Sequence, residues 1–270
     1  MSTNAHDYII EGGEKGKSRL DTLSEVLRPY TLALLEKQGL GKGMRFLDLG
    51  CGGGNVSMMA SDMVGDTGKV IAVDADANMV TLAQKDTGAH AINNVSFSVM
   101  NANDIDYSDE FEIAYSRFLL SHLRRPFEVL QKMIASVKPG GKVIVEDVHF
   151  SGHFCYPECD AFDWYVEYYT TLARNNGQDA NIGPQLFSMF RKAGLGNVGI
   201  EVIQPCANSG PAKQMAYLTL ERIKDNLIAQ KMATADIVSQ MLTELKSYTD
   251  DDQTIMSLPR IFRVWGESLG

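Results

Sequence analysis

The chain has 270 residues, 44% of them apolar, four cysteines and a formal net charge of −9. That length suits one large α/β domain with an appended piece and is short for two independent ones. No apolar run approaches the roughly 20 residues that span a bilayer, which argues against a membrane protein. No dense Lys/Arg cluster offers the basic footprint that nucleic acid requires. Four cysteines are too few for a disulfide scaffold, and the polar start Met1–Asp7 has no secretion pattern, so reduced thiols in a cytoplasmic protein are expected.

Apolar residues recur at helical spacing from Ser18 to Gln38 (Leu20, Leu23, Val26, Leu27, Leu34, Leu35), with Pro29 expected to start or kink a helix. Short apolar runs then alternate with helical stretches. Strands are predicted at Arg45–Leu49, Lys69–Asp74, Val95–Val99, Glu112–Ser116 and Lys142–Glu146, and helices at Val56–Met63, from Asn78 and at Phe127–Val137. The turn Lys138-Pro139-Gly140-Gly141 precedes the fifth strand. This alternation predicts an α/β fold: a mostly parallel sheet of seven strands with helices on both faces. Beyond Asp147 come an aromatic helix at Asp160–Asn175, a short helix at Gln185–Ala193, a strand at Val198–Ile203, helices over Lys213–Tyr248 broken near Lys231–Thr234, and a final strand at Arg260–Trp265. The organisation read from this is an N-terminal helical cap (1–43), a core (44–206), a helical lid (207–256) inserted before the last strand, and that strand (257–270).

Phe46-Leu47-Asp48-Leu49-Gly50-Cys51-Gly52-Gly53-Gly54 lies where the first strand turns into the first helix of the sheet. Glycines there let a backbone approach a ligand at a helix N-terminus. The dinucleotide pattern G-x-G-x-x-G fails, since its sixth position is Asn55, and the Asp48 carboxylate would repel a pyrophosphate. S-adenosylmethionine has no phosphate and carries an ammonium and a sulfonium, so a carboxylate suits it. Asp74, at the end of the second strand and 22 residues after Gly52, can accept both ribose hydroxyls.

Asp48 to Gly54, the strand Val70–Asp74, and Val137-Lys138-Pro139-Gly140-Gly141 together resemble the motifs of class I S-adenosylmethionine-dependent methyltransferases, nearest to the small-molecule group of ubiquinone and menaquinone biosynthesis. The resemblance covers roughly Arg45 to Glu146 and implies a Rossmann-like sheet with the cofactor across its carboxyl edge. It puts the backbone of Gly50 and Gly52 against the cofactor, Ala75 against adenine, Asn101 and Ala102 at the adenine edge, and Ser116 and Arg117 beside the methionyl part. Asn101 departs from the family's usual acid; its amide oxygen can still accept from the adenine amine, and Asp104 is the alternative acid.

Gly16-Lys17-Ser18 imitates a phosphate loop, but Glu11 stands where the loop needs glycine. Tyr8–Arg19 is read instead as a segment folding over the cofactor, with Arg19 pairing the cofactor carboxylate. His149, His153, Cys155 and Cys159 are zinc-type residues, yet their spacing is loose and crowded, and no metal is expected. That loop leaves the carboxyl end of the fifth strand, where ligands bind in such sheets, so Glu146, Asp147, His149 and His153 are candidates to face the acceptor. His122, after the fourth strand, is either packing or a proton acceptor. The reading is methyl transfer to a small molecule, with O, N or C as acceptor left open. A cofactor-binding regulator and a protein or nucleic-acid methyltransferase are the alternatives.

Overall fold

A computed structural model describes residues 13–90 and 92–270. Seven strands form the main sheet: β1 (Arg45–Leu49), β2 (Lys69–Asp74), β3 (Val95–Val99), β4 (Phe111–Arg117), β5 (Val137–His149), β7 (Gly196–Ile203) and β10 (Arg260–Glu267). Their order is β3-β2-β1-β4-β5-β10-β7. The first five run parallel, and β10 lies antiparallel between β5 and β7. The expected mostly parallel, seven-stranded α/β sheet is therefore the observed one. The order reverses between β1 and β4, where parallel sheets open a crevice at their carboxyl ends.

One face of the sheet packs against α4 (Pro126–Ser136) and α6 (Leu186–Lys192) around Phe111, Ala114, Val143, Val145 and Phe190. The other packs under α1 (Gly13–Lys37) and α2 (Asn55–Val64) around Phe46, Val70, Tyr115 and Ile144. Local chemistry marks the boundaries. Pro126 opens α4, where its missing N–H costs nothing. Asp76 caps α3 (Ala77–Ala89) by accepting from the N–H of Asn78 at 2.8 Å. Thr234 caps α8 (Ala235–Asp250) through Ile237.

Two local expectations change. Pro29 neither starts nor breaks α1, because it and Glu25 one turn earlier are exposed, so water can serve the carbonyl the ring cannot. β5 runs from Val137 to His149, longer than the Lys142–Glu146 core, because β10 pairs with it as far as His149↔Arg260.

The helical insertion is α7 (Pro211–Ala229) and α8, following β7 as expected. Its interior is shared: α5 (Asp160–Asn175) contributes Phe162, Tyr165, Tyr169 and Leu172 to one cluster with Leu220, Ile223, Leu227, Met241 and Leu245. A small second sheet, absent from the sequence reading, ties β9 (Ile255–Ser257) to β6 (Cys155–Tyr156) and β8 (Cys206–Ala207). A boundary at 206/207 thus cuts through one apolar core. The lid is fused to the aromatic helix, since neither can bury its apolar face alone.

Candidate active site

The glycine loop leaves β1 at the carboxyl edge of the sheet. Gly50 has φ +76°, and a Cβ there would come within 3.0 Å of Leu119 on the neighbouring loop. Gly54, with φ +82°, caps α2, and its Cβ would meet the Phe97 ring at 2.9 Å. Both positions therefore require glycine. The Gly52 N–H donates to Asp74 Oδ2 at 2.8 Å, and the Asp76 N–H donates to Asp74 Oδ1 at 2.9 Å. Asp74 thus holds the loop in shape from the next strand, and burial raises its pKa against those stabilising donors.

Asp48 is buried and accepts from Ser57 Oγ of α2 at 2.5 Å. Burial pushes its pKa up to about 6, opposed by the Ser57 hydrogen bond and the Arg117 charge. Arg117 ends β4 on the same side, where its guanidinium donates to Thr31 Oγ1 at 3.2 Å. Phe118 follows with φ +55°, a strained backbone for a bulky side chain, at the edge where cofactors lie in this topology. No composition signal announces that residue. Ser116 Oγ is buried and has no hydrogen-bond partner among the described residues. Asn101 accepts from the Asn103 N–H at 2.9 Å and so caps the short turn Ala102–Asp104, next to the exposed Ala75 beyond β2.

The N-terminal helix covers this loop. Lys17 pairs with Asp21 and with Asp86 of α3, Asn55 Nδ2 donates to Asp21 Oδ1, and Leu20 lies beside Gly52. Gly16-Lys17-Ser18 is therefore helix and not a phosphate loop; Tyr8–Gly12 lie outside the described residues. The cation nearest the glycines is neutralised by two carboxylates, and the acids Asp48, buried, and Asp74, half-buried, remain. A cationic, phosphate-free cofactor fits these residues, and a pyrophosphate does not.

Arg19 takes a different place from the one expected. It stands two residues, roughly 200° of helix, from both Lys17 and Asp21, and so faces away from the glycine loop. Its Nε donates to Thr219 Oγ1 of α7 at 3.0 Å. One turn later Leu23 packs with Met215 of α7.

His122 ends a 3₁₀ turn, Leu120–His122. Asp147 holds the turn by accepting from the Ser121 N–H at 3.0 Å, and Gln178 donates to the His122 carbonyl at 3.0 Å. The residue is half-buried while its Nδ1 is sealed from solvent; burial, aided by the Arg19 charge, pushes its pKa down to about 4. His153 sits in an aromatic cluster, with ring centroids 4.5 Å from Phe150 and 5.9 Å from Tyr165, and its Nδ1 is 2.7 Å from the Phe150 carbonyl. Burial takes its pKa down to about 4 as well. His149 is half-buried at the end of β5, edge-on to Phe262, and its pKa is lowered by burial and then by Arg260.

Glu146 is a correction. Its carboxylate accepts from Thr31 Oγ1 at 2.9 Å and Tyr115 OH at 2.5 Å, and it pairs with Arg263 Nε at 3.3 Å. Three partners inside the protein occupy it, so it braces α1 against β4, β5 and β10 and does not face the acceptor. Sequence reasoning missed Thr31, Tyr115 and Arg263. The available signal was an arginine amid the apolar alternation of the last strand, which the register puts directly opposite Glu146. Of the zinc-type residues, His153 is in the aromatic cluster and Cys159 Sγ approaches Glu244 of α8 at 3.8 Å. Among the described residues no three His, Cys, Asp or Glu side chains come together as a metal site. The shallow groove along Asp236, Gln240 and Thr243 is on α8, remote from the glycine loop.

The sheet order, the glycine loop and the two acids are those of the class I S-adenosylmethionine-dependent methyltransferase fold. Residues 40–177 match the family model described as a methyltransferase domain, and the chain belongs to that family. It is similar to the demethylmenaquinone methyltransferase of Oceanobacillus iheyensis, with 29% identity over 47% of this chain and 56% of that one. It is similar also to the ubiquinone/menaquinone biosynthesis C-methyltransferase of Salmonella arizonae, with 28% identity over 55% and 61% of the two chains. The chain thus spans 56% and 61% of these relatives. The YcgJ protein of Bacillus subtilis shares the fold, at TM-score 0.60 and 18% identity over 89% of this chain and 99% of that one. No helix among the described residues is long and apolar enough to cross a membrane.

Proposed function

We propose that this chain transfers a methyl group from S-adenosylmethionine to a small-molecule acceptor bound between the carboxyl edge of the sheet and helices α5 and α7. The observation that carries the reading is the pair of carboxylates, buried Asp48 and half-buried Asp74, at a glycine loop whose nearest lysine is already neutralised. When bound, S-adenosylmethionine supplies a methyl activated on a sulfonium. Asp48 offers its charge to the cationic end of that molecule. Asp74 and the loop backbone at Gly50 and Gly52 hold the ribose side, Ala75, Asn101 and Ala102 the adenine, and Ser116 and Arg117 the methionyl side. The quinone-biosynthesis names of the two relatives support a small-molecule acceptor.

The rest of the chain's work is alignment and exclusion of water, because displacement at carbon needs the acceptor atom about 3 Å from the methyl and in line with the leaving sulfur. His122 is the proton acceptor in this reading. Its depressed pKa keeps the imidazole neutral while weakening it as a base, and Asp147 positions its turn. His153 and His149 wall the acceptor side. Calorimetry with S-adenosylmethionine, S-adenosylhomocysteine and NAD tests the proposal. Binding of the first two without the third is expected, whereas tight NAD binding with no binding of the sulfonium compound would refute it.

A further inference from the structure

Resting on that reading, we propose that Arg19 anchors a carboxylate of the acceptor, which makes the acceptor an aryl or unsaturated acid and not a neutral molecule. Arg19 is half-buried on the face of α1 turned toward α5 and α7. Thr219, 1% exposed, gives its own proton to the Met215 carbonyl at 2.7 Å and accepts from Arg19 Nε at 3.0 Å. That bond fixes the plane of the guanidinium by its inner nitrogen. The two terminal nitrogens remain, in the fork geometry that matches a carboxylate. Among the described residues Arg19 forms no ion pair and makes no hydrogen bond except to Thr219.

The neighbours sharpen the chemistry. The Arg19 charge acts on His122 and on the Tyr165 hydroxyl, neither of which is an anion near neutral pH. Beyond Tyr165 stand the stacked rings of Phe150 and Tyr169, 3.8 Å between centroids, and the edge of His153. A fixed cation with no counter-charge among the described residues, at the margin of an aromatic cluster, suits an acid with a flat apolar body, whose oxyanion the fork takes. The cofactor carries a carboxylate too. Against that source, Lys17, Leu20 and Asp21 meet the glycine loop and Arg19 lies on the far side of the same helix.

The test uses the full chain saturated with S-adenosylhomocysteine, titrated by calorimetry with 2-naphthoate and, separately, with the isosteric 2-naphthamide. The acid is expected to bind at least tenfold more tightly than the amide. Arg19→Met should cut that preference below threefold while leaving S-adenosylhomocysteine affinity within threefold, and Arg19→Lys should keep part of it. Equal or undetectable binding of acid and amide to the unaltered protein overturns the proposal without any variant. A tenfold or greater loss of S-adenosylhomocysteine affinity in Arg19→Met also overturns it, by assigning the guanidinium to the cofactor carboxylate. Absence of S-adenosylhomocysteine binding to the unaltered chain would instead refute the methyltransferase reading beneath it.

Discussion

Replacing Asp48 with asparagine should make the cofactor-free protein more stable and a poorer binder at once. The carboxyl is fully buried, and its pKa is raised from 3.8 to about 6, chiefly by desolvation. The folded protein therefore holds this proton more tightly than the unfolded chain. The group's favourable contribution is complete below about pH 4 and is lost as pH rises through 6. At about 1.4 kcal/mol per pH unit, burying the charge costs roughly 3 kcal/mol at pH 8. Asparagine keeps an oxygen for Ser57 but removes the negative neighbour of Arg117, so the net gain at pH 8 should be about 1–3 kcal/mol. Urea unfolding of both proteins from pH 4 to pH 8 reads it directly, because the other titrating groups, Asp147 at about 6 and the histidines at about 4, cancel in the difference. The two stabilities should meet near pH 4, diverge between pH 4 and 6, and differ by a constant amount above that. S-adenosylmethionine affinity should fall at least tenfold in the variant, and in the unaltered protein it should weaken below pH 6 as Asp48 takes up its proton. A pH-independent stability difference, or a less stable variant at pH 8, would refute the reasoning.

Asp74→Ala removes a charged acceptor from the Gly52 and Asp76 amides and should weaken S-adenosylhomocysteine binding by about 1–3 kcal/mol in calorimetry; an affinity within threefold of the original would count against its role. Glu146→Ala removes the buried acceptor of Thr31 and Tyr115 and one of the two carboxylates paired with Arg263, which keeps Glu201 and the Tyr30 carbonyl, and should cost about 1–3 kcal/mol of stability in urea unfolding, whereas a rate loss at unchanged stability would return Glu146 to the reaction. Leu220→Ala, at a fully buried position shared by α5, α7 and α8, should cost about 2–5 kcal/mol. Replacing 207–256 by a short linker should leave no folded remnant by circular dichroism, because Phe162, Tyr165 and Leu172 would lose their cover; a stable, cofactor-binding truncation would restore the picture of a separable lid.

The local sequence determined the sheet strands and the cofactor loop. Val70–Val73 reads as a continuous apolar segment and Phe46–Leu49 as one interrupted only by Asp48, as strands covered on both faces do, and glycine positions with positive φ are written in the residue itself. Asp48 and Asp74 were legible because each lies at or next to the carboxyl end of its strand. What the tertiary structure alone decided is where long side chains go when several elements meet. Arg19 turned toward Thr219 because helix α1 has two faces, and only packing chose which one met the glycine loop. Glu146 was drawn into a buried network by Thr31 and Arg263, 115 residues before it and 117 after it, and no local pattern spans such separations. The aromatic helix α5 could have been read as core or as pocket; the cover supplied by α7 and α8 makes Phe162 and Leu172 core and leaves Tyr165 between the core and Arg19. Periodicity reports which face of an element avoids water, and the identity of the partner across that face is a property of the whole chain.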